Sequence, residues 1–384
     1  MNLKPFLLEQ WLASYEQDIE YNLASSTGPR WSVEELLDLA GEDARRRLFA
    51  LPLTYGPPAG TTSLRTAIAD MQGVSPDCVQ IVTGASEALL ILFWLAAEPG
   101  ANVIVPAPGY PGFSALPLSL GLETRYYRIG RERGFAVDVE EIEALADRKT
   151  KLILVSNPHN PTGAVLNDDQ MDQLHAFTSE RGIQLVSDEV YHPIYHTGEV
   201  QSAARLRTAT VINDFSKAFS LPGLRTGWMI EHDAQKRERY WNARALFTVS
   251  NSPLGELLAE IAVNNRRAVI GRAQETTSRN LRVLTNFMQE HKSVFGWIPP
   301  RGGTIGFPWM LDGQSARAFC VAAAREGLLL APGDVFDEPE HFRIGIGASG
   351  DGFIGAMEHL KRFVDHWLLK REWDHGPVTE SAQR

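Results

Sequence analysis

Cysteine is scarce in this chain: only Cys78 and Cys320 occur among 384 residues, far apart and in no metal-ligand spacing. That excludes a disulfide scaffold and leaves no zinc signal; two isolated cysteines fit a reducing compartment, each as a small core residue. Long apolar runs are also missing. The longest, Ala88–Ala97, stops at Pro99-Gly100, well short of the ~18 residues needed to cross a bilayer. Met1–Leu8 offers no basic region followed by an apolar stretch, so a cytoplasmic protein without a membrane partner is expected. Positive charge is in deficit as well. Lys and Arg total 37 against 47 Asp and Glu, a formal net charge of −10, and no basic stripe is available for a nucleic-acid backbone. Nucleic acid is therefore not an expected partner.

What is present is the composition of an ordinary globule, 44% hydrophobic and 22% charged, with no repeat or low-complexity linker. The length exceeds one comfortable hydrophobic core, which predicts a large domain with a smaller companion. Short β-rich runs, Val79–Val82, Asn102–Pro106, Lys151–Ser156, Ile183–Ser187, Thr210–Phe215 and Trp228–Glu231, are read as strands. Helical patterns fall between several of them, at Ser86–Ala97, Asp168–Arg181 and Ala234–Phe247. This alternation predicts an α/β domain with a largely parallel sheet, and runs such as Leu152-Ile153-Leu154-Val155 suit strands covered on both faces. A ligand then belongs at the C-terminal edge of the strands. Beyond a helical pattern at Thr276–Lys292, a second unit is expected from helix Ala316–Glu326, strands Leu328–Ala331 and Phe342–Ile346, and helix Gly355–Leu369. Polar Trp373–Arg384 reads as a frayed tail. The expected divisions are an N-terminal segment, 1–45, that joins the small domain, a large domain, 46–285, and the small domain, 286–384.

The segments that carry chemistry lie at strand ends. Ser216-Lys217-Ala218-Phe219-Ser220-Leu221-Pro222-Gly223-Leu224-Arg225 places a lysine just past a buried strand and an arginine eight residues later. A lysine must lose its proton to attack an aldehyde, and burial near cations favours that loss. Thr83-Gly84-Ala85-Ser86 follows a strand and opens a helix, whose N–H groups can hold a phosphate. In Asn157-Pro158-His159-Asn160-Pro161-Thr162-Gly163 two prolines stiffen the backbone that carries Asn160. Ser187-Asp188-Glu189-Val190-Tyr191 ends another strand, and Pro106-Ala107-Pro108-Gly109-Tyr110 presents an aromatic ring. Each has a bland alternative, a helix cap, a rigid turn or a core tyrosine.

Together and in this order, over about Pro52 to Gly347, they resemble the aminotransferase class I/II family of fold-type I pyridoxal-phosphate (PLP) enzymes. The resemblance implies a mostly parallel seven-stranded sheet in the large domain, a small α+β domain, and a homodimer with shared active sites. It implies that Lys217 carries PLP as a Schiff base and that Asp188 keeps the pyridine nitrogen protonated. Asn160 and Tyr191 would meet the phenolic oxygen, Tyr110 would stack on the ring, and Ala85, Ser86, Ser216 and Arg225 would hold the phosphate. Tyr55 would reach the neighbouring subunit's phosphate, Arg343 would bind the substrate carboxylate, and Asn160 would also contact the substrate. The pattern departs from the family at Asp214, where many relatives carry Ser or Thr. A carboxylate facing a phosphate is repelled, so Asp214 must turn toward an arginine or the cup must be rearranged.

Transamination between an amino acid and a 2-oxo acid is the expected reaction, with Lys217 as the base at Cα. The N-terminal residues Leu8-Glu9-Gln10-Trp11, Asp18-Ile19, Ser25-Ser26-Thr27-Gly28 and Glu35-Leu36 resemble instead the capreomycidine synthase-like members, which cyclise a hydroxylated arginine. In that alternative Glu9, Glu16, Asp18 or Glu20 supplies a carboxylate for the guanidinium; a solvated acidic face is the plainer reading. A ligand-sensing regulator is disfavoured, because the chain offers no basic patch for a DNA-binding module.

Overall fold

Residues 5–15 and 19–375 are described by the computed structural model, with side chains through Leu369. After a short strand β1 (Tyr21–Asn22) come the seven strands of the central sheet: β2 (Val79–Val82), β3 (Asn102–Ala107), β4 (Glu123–Arg128), β5 (Thr150–Ser156), β6 (Gln184–Asp188), β7 (Ala209–Asp214) and β8 (Gly227–Ile230). Their order is β2-β8-β7-β6-β5-β3-β4. Only β8 runs antiparallel to its neighbours; all other pairs are parallel.

Helices cover both faces, as the continuous apolar runs require. Along β5, Ile153 and Val155 enter one apolar cluster while Leu152 and Leu154 enter another, the period-2 alternation of a strand buried on both sides. Each such side chain contributes roughly 1.5–3 kcal/mol by leaving water. Sequence reading missed β4, Glu-Thr-Arg-Tyr-Tyr-Arg. As an edge strand, pairing only with β3, it carries exposed Glu123 and Arg128 and a half-buried Arg125, one side chain alone, Tyr127, being buried, and so loses its apolar signature.

The C-terminal part contains β9 (Phe295–Gly296), β10 (Ile305–Gly306), β11 (Trp309–Met310), β12 (Leu328–Leu329), β13 (Ala331–Pro332) and β14 (Phe342–Gly345). The single strand expected over Leu328–Ala331 is two: β12 pairs with β1, and β13 pairs with β14. The first of these pairings ties the N-terminal segment to the C-terminal part. The long helix runs Arg266–Glu290, beginning well before the expected Thr276. The last helix, Phe353–His375, takes in Trp373, expected to fray, and residues 376–384 lie outside the described ones.

Candidate active site

The parallel strands end together at Ser156 of β5, Asp188 of β6 and Asp214 of β7, and a cavity of about 740 Å³ opens beyond them. Its wall is closed by the N-terminal helix Leu7–Ala13, by residues 22–30 and by Arg343 from β14. Lys217, Asp188, Tyr191, Asn160, Tyr110, Ala85, Ser86, Ser216, Arg225, Arg343 and Glu9 all line it. Tyr55 does not. It stands 86% exposed and lies away from its own chain's cavity.

Lys217 follows the turn out of β7, and its Nζ donates to Ser26 Oγ at 2.8 Å. Loss of hydration lowers its amine to about 8, which raises the share of the neutral, nucleophilic form near neutral pH. Asp188 is buried at the end of β6 and accepts the Val190 N–H at 3.1 Å; burial pushes its carboxyl up to about 7. A buried acid with so little compensation suits a cationic partner. The Tyr191 hydroxyl is buried and makes no hydrogen bond of good geometry among the described residues, with Ser26 its near polar neighbour; burial pushes its phenol up to about 12.

Arg343 is fully enclosed. Its Nη1 donates to Asn160 Oδ1 at 3.2 Å and its Nη2 to the Ala24 carbonyl at 2.7 Å, while its Nε is buried and unpaired. Among the described residues no carboxylate forms an ion pair with it, and burial lowers its pKa. A desolvated guanidinium without a counter-ion is costly, and an incoming carboxylate relieves that cost.

Helix Gly84–Ala96 starts at the cavity, which its first-turn residues Ala85 and Ser86 line. Gly84 has φ +75°, a conformation that favours glycine. A Cβ there would lie 3.0 Å from Arg225 Nη2 and 3.8 Å from Asp214 Oδ2, so the absent side chain leaves a cradle between them. Arg225 Nη1 donates to the Pro222 carbonyl at 3.0 Å and to Ser216 Oγ at 3.5 Å. Asp214 forms no ion pair with an arginine among the described residues; it takes up the cup's own donors, accepting from Ser216 N–H, Ser216 Oγ and, at 3.4 Å, Ala85 N–H. Of the two outcomes expected for it, a turn toward an arginine is not seen among the described residues.

Of the N-terminal acids, Glu9 lines the cavity, and its charge is felt by Lys217 and Arg343. Glu20 does not line it; its carboxylate lies 4.0 Å from His359. Glu16 and Asp18 lie outside the described residues. Sequence reading gave no role to Ser26 or to the Ala24 carbonyl. The only signal was the Ser25-Ser26-Thr27-Gly28 resemblance, since contacts so distant in sequence leave no local pattern.

A model of the family Aminotransferase class I and II matches residues 37–352. Capreomycidine synthase of Streptomyces vinaceus is 29% identical over 343 residues, covering 88% of each chain. A solved PLP-dependent aminotransferase from Streptococcus suis superposes with a TM-score of 0.89 at 28% identity, over 95% of this chain and 99% of that one. The solved PLP-dependent cyclase OrfR gives 0.85 at 28% identity, over 95% and 98%.

The donors in the cavity fit PLP group by group. An amine of lowered pKa suits its aldehyde, a buried acid its pyridinium, the buried Tyr191 hydroxyl a phenolic oxygen, and the cradle above Gly84 a phosphate. Asp214 alone opposes. On the match over most of its length, the chain belongs to the aminotransferase class I and II family, with pyridoxal 5'-phosphate as its cofactor.

Proposed function

We propose that this protein is a cytoplasmic aminotransferase that moves the α-amino group of an amino acid to a 2-oxo acid. PLP, when bound, supplies an aldehyde that captures the amino group and a ring that stores the electron pair released at Cα. Lys217 would hold it covalently, and its Nζ, once free, would take the proton from the substrate Cα. Ser26 fixes the position of that amine. Asp188 holds the pyridine nitrogen protonated, Asn160 and Tyr191 donate to the phenolic oxygen, and Tyr110 packs against the ring. Ala85, Ser86, Ser216 and Arg225 hold the phosphate, joined by Tyr55 of the partner subunit in a homodimer with shared sites. The exposure of Tyr55, together with exposed Phe49 and Leu53 nearby, supports that assembly. Arg343 takes the substrate carboxylate as its missing counter-ion.

The observation that carries this reading is the meeting in one cavity of Lys217, an amine lowered to about 8, with the Arg343 guanidinium, which has no carboxylate partner among the described residues. That arrangement receives an α-amino acid by both of its ends. The test is isotopic. With a 15N-labelled amino acid and an unlabelled 2-oxo acid, mass spectrometry is expected to find the label in the amino acid made from the oxo acid.

A second reading is cyclisation of a hydroxylated arginine, with Glu9 pairing the guanidinium. It is favoured by Glu9 lining the cavity and by the likeness to capreomycidine synthase and OrfR. In that case the label stays in a product that has lost water, and no acceptor is consumed.

A further inference from the structure

Asp214 is a buried acid at the end of β7, 6% exposed. It forms no ion pair among the described residues, although its charge acts on the Lys217 amine. Its bonds come from the Ser216 N–H at 2.8 Å, the Ser216 hydroxyl at 3.1 Å and, more weakly, the Ala85 N–H at 3.4 Å at the start of helix Gly84–Ala96. Those are donors that a phosphate in this cup would need. The cup is also tight. A Cβ on Gly227 would lie 2.9 Å from Asp214 Cβ and 3.0 Å from the Gly84 carbonyl carbon, so the acid sits directly against the turn that opens the helix.

We propose that Asp214 determines cofactor affinity: its carboxylate competes with the cofactor phosphate for the donors at Ser216 and Ala85. The same hydrogens cannot fully serve two anions, and two anions a few ångströms apart repel in a cavity shielded from water. The phosphate therefore adds less to binding than its donor set would give alone, and retention depends more on Lys217 and the contacts to the ring. The inference rests on the phosphate-cup assignment proposed above.

Pyridoxal, which has the aldehyde and ring without the phosphate, isolates this effect. Dissociation constants of pyridoxal and of PLP are measured by absorbance titration of the apoenzyme, for the natural chain, Asp214→Ser and Asp214→Asn. The ratio of the pyridoxal constant to the PLP constant should rise about tenfold or more in both variants; Asp214 also acts on the Lys217 amine, which takes both aldehydes, so the ratio isolates the phosphate. An unchanged or reduced ratio overturns the proposal alone. Attachment of both aldehydes to a lysine other than Lys217 overturns the cup assignment and the proposal with it. The natural apoenzyme gives a second readout that needs no variant. Inorganic phosphate should raise its melting temperature no more than chloride at matched ionic strength, because Asp214 already engages the Ser216 and Ala85 donors. A phosphate-specific rise of several degrees would contradict that.

Discussion

The Lys217 amine and the Ser26 hydroxyl are hydrogen-bonded across 191 residues of sequence. The bond joins the turn after β7 to the N-terminal segment, which is held in place along its length. The Leu23 carbonyl accepts the Gly345 N–H at 2.6 Å, the Ala24 carbonyl accepts from Arg343, and the Ser26 carbonyl accepts the Thr304 hydroxyl at 2.7 Å. Ser26 is thus a positioning residue on a fixed support. Ser26→Ala should leave the fold intact and lower kcat by up to about tenfold, the worth of one hydrogen bond. Ser26→Thr should recover part of the loss. Steady-state kinetics of both variants checks this, and an Ala variant as fast as the natural chain would remove Ser26 from the account.

Lys217 should be the residue that borohydride fixes to PLP, as peptide mapping can show. Its amine is lowered to about 8 from 10.5. The rate of PLP attachment to the apoenzyme should therefore rise about tenfold per pH unit below 8 and level off above it. Stopped-flow absorbance measures the profile. A midpoint near 10 would mean that the amine is not desolvated as the cavity implies.

Asp188 gives a prediction for stability as well as turnover. Its folded-state pKa is about 7 against an ordinary 3.8, so the folded apoenzyme holds a proton there that the unfolded chain has released. Stability from this group is complete below about pH 4 and declines as pH rises to about 7. Asp188→Asn should flatten that part of the melting-temperature profile and reduce turnover by orders of magnitude. An Asn variant with the same slope and near-normal turnover would contradict both roles.

Much of this site was legible in the sequence because its parts are local. Lys217 and Arg225 share one loop, Asn160 sits between two prolines, and Asp188 and Tyr191 close one strand. Each carries its own pattern of apolar run followed by turn residues. The fold's centre was legible for the same reason, since β5, β6 and β7 are buried and carry short β-rich runs, continuous and apolar in Leu152–Val155 of β5. What escaped was non-local or masked by exposure. β4 hides behind its charged edge, Ser26 meets Lys217 only through the fold, and the division of 328–332 between two partners follows from pairing rather than composition. Asp214 was visible as a departure, but only the contacts with Ser216 and Ala85 show where its carboxylate goes.

Arg343→Lys keeps the charge and loses the planar fork that bonds Asn160 and the Ala24 carbonyl. A lysine cannot bind a carboxylate in two-point fashion, so kcat/KM for the amino acid should fall roughly thirtyfold, mostly through KM. PLP affinity should change little. A loss confined to kcat would place Arg343 elsewhere in the reaction.

The proposed reaction is tested most directly by stoichiometry. PLP-loaded enzyme is mixed with single amino acids, hydroxylated arginines among them, without any 2-oxo acid, and products are counted by mass spectrometry. Amino transfer predicts one 2-oxo acid released per active site and then arrest, with turnover resuming when a 2-oxo acid is added. Many turnovers of a hydroxyarginine without an acceptor, yielding a dehydrated cyclic amino acid and no 2-oxo acid, would contradict the account and make Glu9 the first residue to replace.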